Sequence, residues 1–280
     1  MNRYSEYENF ITMHPWSEIH IDHEMISYRQ FGQGKKTILL LLGGSMFSAD
    51  AYFKLIMELE NEYQLIMIDY PKDKQKIDLL INTISNVIRK LGIEKVYVFG
   101  TNYGGGIAQA FAKVHQEQVE GLILYNTLTK TNDMTEHAHK VIAQVIEAIN
   151  ELNALREMMS LDTIKSALID QINQVILDPN DRKLYELFIG LYQEEDEKLQ
   201  MNLIKDLLTR YTFSKEDFKY LKEKTLLFYA HDDDPLGGTE LIETLADLYI
   251  SPNLAFVETD RFNLMINPFQ MANYIKSFIK

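Results

Sequence analysis

The densest concentration of chemically suggestive residues is Val96 to Ala112, VYVFGTNYGGGIAQAFA. An apolar run ends at Phe99, and a helical pattern begins near Tyr103. Between them lies Gly100-Thr101-Asn102-Tyr103-Gly104. Glycines flank this turn because a larger side chain would clash where strand and helix meet closely. The pattern is that of G-x-Nuc-x-G, a sharp strand–turn–helix corner that lifts a nucleophile out of a sheet. It is equally the pattern of a Gly-rich turn that holds a phosphate at a helix N-terminus. The central residue is an asparagine. An uncharged amide is neither a practical nucleophile nor one that a neighbouring base can activate.

Other residues able to do chemistry are few. Ser45 and Ser48 follow the glycine pair Gly43-Gly44 and are ordinary turn serines or substitute nucleophiles. His231 precedes Asp232, Asp233, Asp234 and Pro235. It is either a base or a loop histidine bonded to a neighbouring aspartate. The Asp-rich run beside a proline is a common turn composition, so no metal is expected there. His137 and His139 fall in a helical stretch and are expected to face solvent. Thr101, next to the turn's centre, is expected to point away from the cleft.

These residues need a scaffold. Glu18 to Ile21 and Met25 to Phe31 read as a hairpin. Buried-type apolar runs follow at Thr37 to Leu42, Gln64 to Ile68, Lys95 to Phe99, Gly121 to Tyr125, Thr225 to Tyr229 and Leu254 to Val257. Short apolar runs bounded by turn signals fit strands covered on both faces. Helical patterns separate them at Ala51 to Leu59, Gln75 to Leu91, Gly105 to His115, Thr239 to Tyr249 and Pro268 to Ile279. Such alternation predicts an α/β fold with a doubly wound, mostly parallel sheet. From Thr129 to Lys222 strand signals nearly vanish, and apolar residues recur at helical spacing, predicting an insertion of about four helices. Its acidic stretch Glu194 to Glu197 reads as a solvated helix end.

With these segments in order, nearly the whole chain resembles the α/β-hydrolase superfamily. HEMISYRQFGQGKKTILLLLGG is similar to that family's opening hairpin, third strand and oxyanion loop, with Leu42 where the family usually has histidine. TLLFYAHDDDPL resembles the seventh strand and its acid loop, and ETDRFNLMINPFQMANYIKSFI the last strand, histidine loop and closing helix. The resemblance implies a core domain at 1–128 and 223–280 and a helical cap domain at 129–222. It puts Asn102 at the nucleophile position and Asp234 at the acid position. Arg261, seven residues before Pro268, takes the histidine position. A guanidinium stays protonated and cannot accept a nucleophile's proton. Arg261 either pairs with Asp234 or helps hold an anionic oxygen. The oxyanion hole implied by the resemblance uses backbone N–H groups of Gly44 and Tyr103, with Ser45 beside them. Asp69-Tyr70-Pro71 stands where the family commonly shows a Gly-rich turn.

Composition bounds the function. The chain has 280 residues, 46% hydrophobic and 25% charged, with a formal net charge of −13 and no cysteine. Disulfides, thiolate catalysis and cysteine-ligated zinc are excluded. An acidic chain without a basic run is a poor partner for nucleic acid or an anionic membrane. The N-terminal segment lacks the pattern of a signal peptide, and no apolar run is long enough to span a bilayer. A cytoplasmic protein without cofactor is expected, holding a small ligand or a protein partner in or around a capped cleft. Two alternatives remain open at this point. One is a hydrolase of small esters or amides that uses Ser45 and His231. The other is a pure protein-interaction module.

Overall fold

The computed structural model describes residues 2–44, 46–230, 238–258, 265 and 267–280. The sheet is built from β1 (Ser17–Ile21), β2 (Glu24–Phe31), β3 (Thr37–Leu41), β4 (Gln64–Ile68), β5 (Val96–Asn102), β6 (Val119–Thr127), β7 (Thr225–Ala230) and β8 (Asn253–Val257). Its eight strands lie in the order β1-β2-β4-β3-β5-β6-β7-β8. The β1–β2 and β2–β4 pairs are antiparallel, and all others are parallel. The parallel strands are the ones the sequence marks as uninterrupted apolar runs. Every residue of β3 is buried, as expected for a strand covered on both faces.

Helices close both faces. These are α1 (Arg3–Met13), α2 (Phe53–Leu59), α3 (Ile77–Lys90), α4 (Tyr103–Val114), α5 (Glu136–Arg156), α6 (Leu161–Val175), α7 (Pro179–Leu191), α8 (Glu194–Arg210), α9 (Gly238–Leu248) and α10 (Phe269–Phe278). One apolar cluster joins alternate β3–β7 side chains to α3, α4, α5, α8 and α9; a second joins the opposite face to α1, α2, α7 and α10. The sheet is therefore the wall between two cores, and its carboxyl edge is where α4 begins.

The four helices expected between β6 and β7 are α5 to α8. Among the described residues no helix is long and apolar enough to cross a membrane. Helix α1 has no counterpart in the sequence reading. Its two buried residues, Tyr7 and Phe10, lie one turn apart, too short a stripe to register as a period. The acidic start of α8 differs from expectation too. Glu197 is buried, and one carboxylate oxygen accepts from Arg156 Nε at 2.8 Å, so this residue is an internal ion-pair partner and not part of a solvated end.

Candidate functional site

The corner expected at Gly100–Gly104 is present, shifted in detail. Strand β5 runs through Asn102, and α4 starts at the next residue. Asn102 carries the reversal, with φ 51° and ψ −124°. L side chains rarely adopt such angles, and they persist only where surroundings over-determine them. Here the surroundings are tight. A Cβ on Gly104 would lie 2.1 Å from the Leu41 carbonyl oxygen, and one on Gly100 would lie 2.6 Å from Gly105 Cα. The absence of side chains lets α4 start directly over the ends of β3 and β5.

The Asn102 side chain is turned onto its own helix. Its Oδ1 accepts the Tyr103 backbone N–H at 2.7 Å. Only the amide oxygen can accept from an N–H, which fixes the orientation of the group. Helix starts leave their first N–H groups without intrahelical partners, and these attract anionic oxygen. At this helix the first such group is already bonded.

Gly44 faces this amide, with φ +125° and room for a Cβ only 3.1 Å from Asn102 Cβ. The loop bearing it is held by Thr101. That hydroxyl donates to the Gly43 carbonyl at 3.0 Å, accepts the Gly43 N–H at 3.1 Å and accepts the Tyr52 hydroxyl at 3.2 Å. Thr101 thus points into the loop and braces it, and it does not line the cleft described below. Behind α4, buried Gln109 gathers four bonds. Its Nε2 donates to the Gly105 and Leu128 carbonyls, and its Oε1 accepts from Thr129 and Tyr249. This network fixes the chain as it leaves β6.

Beside the corner opens a cleft of about 560 Å³. Gly43, Gly44 and Tyr103 border it, with Tyr192 from the junction of α7 and α8 and Gln200 from α8 itself. Tyr52, Tyr70 and Ser48 complete the nearer wall. Two hydroxyls here are buried without a hydrogen-bond partner: Ser48 Oγ and Tyr70 Oη. Tyr192 donates to Gln200 Oε1 at 3.0 Å. Burial pushes the phenols of Tyr70, Tyr103 and Tyr192 well above their ordinary range. They remain neutral donors and acceptors at ordinary pH and cannot serve as bases.

One wall is anchored by a buried ion pair. Asp50 accepts from Arg29 at 2.7 Å and from the Tyr7 hydroxyl at 2.8 Å, and the Arg29 guanidinium lies 4.3 Å from the centre of the Trp16 ring. Helix α1 is thereby tied to the cleft. At the mouth Lys72 bonds both Asp69 and Asp196. Burial works against its charge, but the hydrogen bond to Asp196 and the attraction of Asp69 more than offset this, and its ammonium is held above the usual lysine range.

Of the residues singled out in the sequence, Asn102, Gly44 and Tyr103 come together. Ser45, His231, Asp234 and Arg261 lie outside the described residues. His137 and His139 are exposed on α5. The sequence reading did not single out Tyr52, Tyr192, Gln200 or the Tyr7–Asp50–Arg29 group. Only Tyr70 carried a signal, as the departure Asp69-Tyr70-Pro71 after β4. Among the described residues no cluster of His, Asp and Glu could hold a metal ion.

Comparison with known proteins agrees with this geometry. Residues 61–178 match the model of the Ndr family. Proline iminopeptidase of Flavobacterium johnsoniae is 25% identical over 148 residues, 46% of this chain and 50% of that protein. A 2-hydroxy-6-oxononadienedioate/2-hydroxy-6-oxononatrienedioate hydrolase of Paraburkholderia phymatum is 31% identical over 111 residues, 35% of this chain and 38% of that protein. The matches thus span about half the length of these curated relatives or less. The crystal structure of the enol-lactonase from Burkholderia xenovorans LB400 superposes with a TM-score of 0.70 at 13% identity, covering 94% of this chain and 99% of that one. The strand order, the strained corner at Asn102 and the helix that starts from it belong together, and the chain has the α/β-hydrolase fold.

Proposed function

We propose that this chain is a non-hydrolysing protein of the α/β-hydrolase fold that binds a small molecule in the cleft beside Asn102, under a cap formed by α5 to α8. The observation that carries this reading is the bond from Tyr103 N–H to Asn102 Oδ1. An amide stands where a nucleophile would, and its oxygen occupies a donor that acyl-transfer chemistry needs for the developing oxyanion. The substitution of arginine at position 261, inferred from sequence register, points the same way. The open volume of the cleft and its two unpartnered hydroxyls support a ligand site over a purely protein-binding surface.

The hydrolase alternative draws on the names of the relatives and requires Ser45 with His231. The two readings separate in one assay. Wild type, Asn102→Ala, Ser45→Ala and His231→Ala are compared on a short-chain nitrophenyl ester. The binding reading expects no saturable turnover in any of them. Saturable wild-type turnover that disappears in Ser45→Ala or His231→Ala establishes the hydrolase instead.

A further inference from the structure

The lining of the cleft narrows the class of ligand. Four carboxylates border it, Asp50, Asp69, Glu195 and Asp196, against one lysine, Lys72. The Asp50 charge is met from behind by Arg29. Lys72 is shared between Asp69 and Asp196, one positive charge for two negative ones. Glu195 adds a further carboxylate at the exposed mouth. Among the described residues the cleft is therefore negative, and a walled cleft of one sign concentrates ions of the other.

The remaining lining mixes aliphatic side chains with aromatic rings. Tyr52, Tyr70, Tyr103 and Tyr192 all border the cavity. Aromatic faces attract cations, more so when the cation is desolvated. The wall already contains one such contact, the Arg29 guanidinium on Trp16. Tyr70 supplies the independent polar handle. The residue is only 8% exposed and its hydroxyl is buried without a partner, on the wall of the cavity. A neutral phenol oxygen has lone pairs with which to accept an N–H.

An anion finds the opposite. The start of α4 would favour a negative oxygen, but its first N–H is bonded to Asn102 Oδ1.

We propose that the cleft binds a small organic cation, an alkylammonium whose charged head lies among the four tyrosines and the acidic mouth and donates to the Tyr70 hydroxyl. This rests on the reading of the cleft as a binding site, and the test keeps the two apart. Three probes share one six-carbon 3,3-dimethylbutane skeleton: 3,3-dimethylbutylammonium, 3,3-dimethylbutan-1-ol and 3,3-dimethylbutanoate. Calorimetric titration of the full chain should show saturable binding of the ammonium, at least tenfold weaker binding of the alcohol, and none of the carboxylate. Raising the salt concentration should weaken only the ammonium. Glu195→Gln, at an exposed position, should weaken the ammonium about threefold and leave the alcohol unchanged. Tyr70→Phe should weaken the ammonium more, with the same melting profile as wild type. Equal or tighter binding of the alcohol or the carboxylate overturns the proposal, and so does silence of all three probes. Nitrophenyl ester turnover lost in Asn102→Ala, measured on the same samples, sinks the binding-only reading whatever the ammonium does.

Discussion

Replacing Asn102 separates two opposed contributions at the corner. In Asn102→Ala the Tyr103 N–H loses its 2.7 Å partner while the backbone stays at φ 51° and ψ −124°. An unmade buried hydrogen bond costs about 1–3 kcal/mol. The backbone strain, about 1–3 kcal/mol for a side chain in such a region, is not relieved by alanine, which visits positive φ less readily than asparagine. Alanine should therefore destabilise by about 2 kcal/mol, or roughly 4–8 °C in melting temperature for a chain of this size. In Asn102→Gly the same hydrogen bond is lost but the strain is relieved. Glycine's extra freedom in the unfolded chain takes back only about 0.4–1 kcal/mol of that relief. Glycine should accordingly be more stable than alanine by about 1 kcal/mol, although in most positions it is worse. Urea unfolding of wild type and both variants, with calorimetric melting alongside, measures the ordering. Wild type above glycine above alanine is expected. A neutral alanine variant, or glycine below alanine, refutes the account of a strained corner held by its own amide.

Three further outcomes follow from the surroundings of the site. Gly104→Ala drives a Cβ against the fixed Leu41 carbonyl oxygen and should abolish soluble expression, whereas Gly106→Ala meets the mobile end of Leu207 on α8, 2.1 Å away, and should fold with faster amide exchange in α8 but not in β5. Arg29→Met strips Asp50 of its ion-pair partner among the described residues and should cost about 3–5 kcal/mol, since one buried charge is left behind, while Arg29→Met with Asp50→Asn should recover much of that loss by urea unfolding. Stability should also fall in acid. Burial holds the His115 imidazole below its ordinary 6.5, with Arg89 adding and Glu117 opposing. The unfolded chain then takes up its proton first, so stability is level above about pH 6.5 and is lost as pH falls through the folded value. His115→Gln should flatten urea midpoints measured between pH 8 and 5.

What could be read from the chain depended on how far apart the cooperating residues stand in it. The strands were legible because five or six adjacent apolar residues suffice to mark a buried strand, and β3 is buried at every position. The corner was legible for the same reason: Gly100, Asn102, Gly104 and the helical run after them are contiguous. The lining of the cleft was not. Tyr52, Tyr70, Tyr103 and Tyr192 come from four separate segments, and only the parallel register of β3, β4 and β5 brings the first three to one edge. Tyr192 arrives with α8, whose Leu207 packs on Gly106. Glu197 reads as a solvated charge until Arg156, forty-one residues earlier, is seen beside it.

The same contrast explains how the corner keeps its shape around an amide. Nothing that fixes its geometry involves reactive chemistry. Gly104 and Gly100 set the distance between α4 and the strand ends, Thr101 clasps both polar atoms of Gly43, and Gln109 secures the exit of β6. Each of these is a packing or hydrogen-bonding requirement of the backbone, satisfied whatever side chain stands at position 102. That side chain meets two local demands only, tolerance of a positive φ and a partner for the first helical N–H. Asparagine is among the few residues that visit positive φ readily, and its oxygen is within reach of that N–H. The amide thus stabilises the fold at the corner by meeting both demands with one side chain.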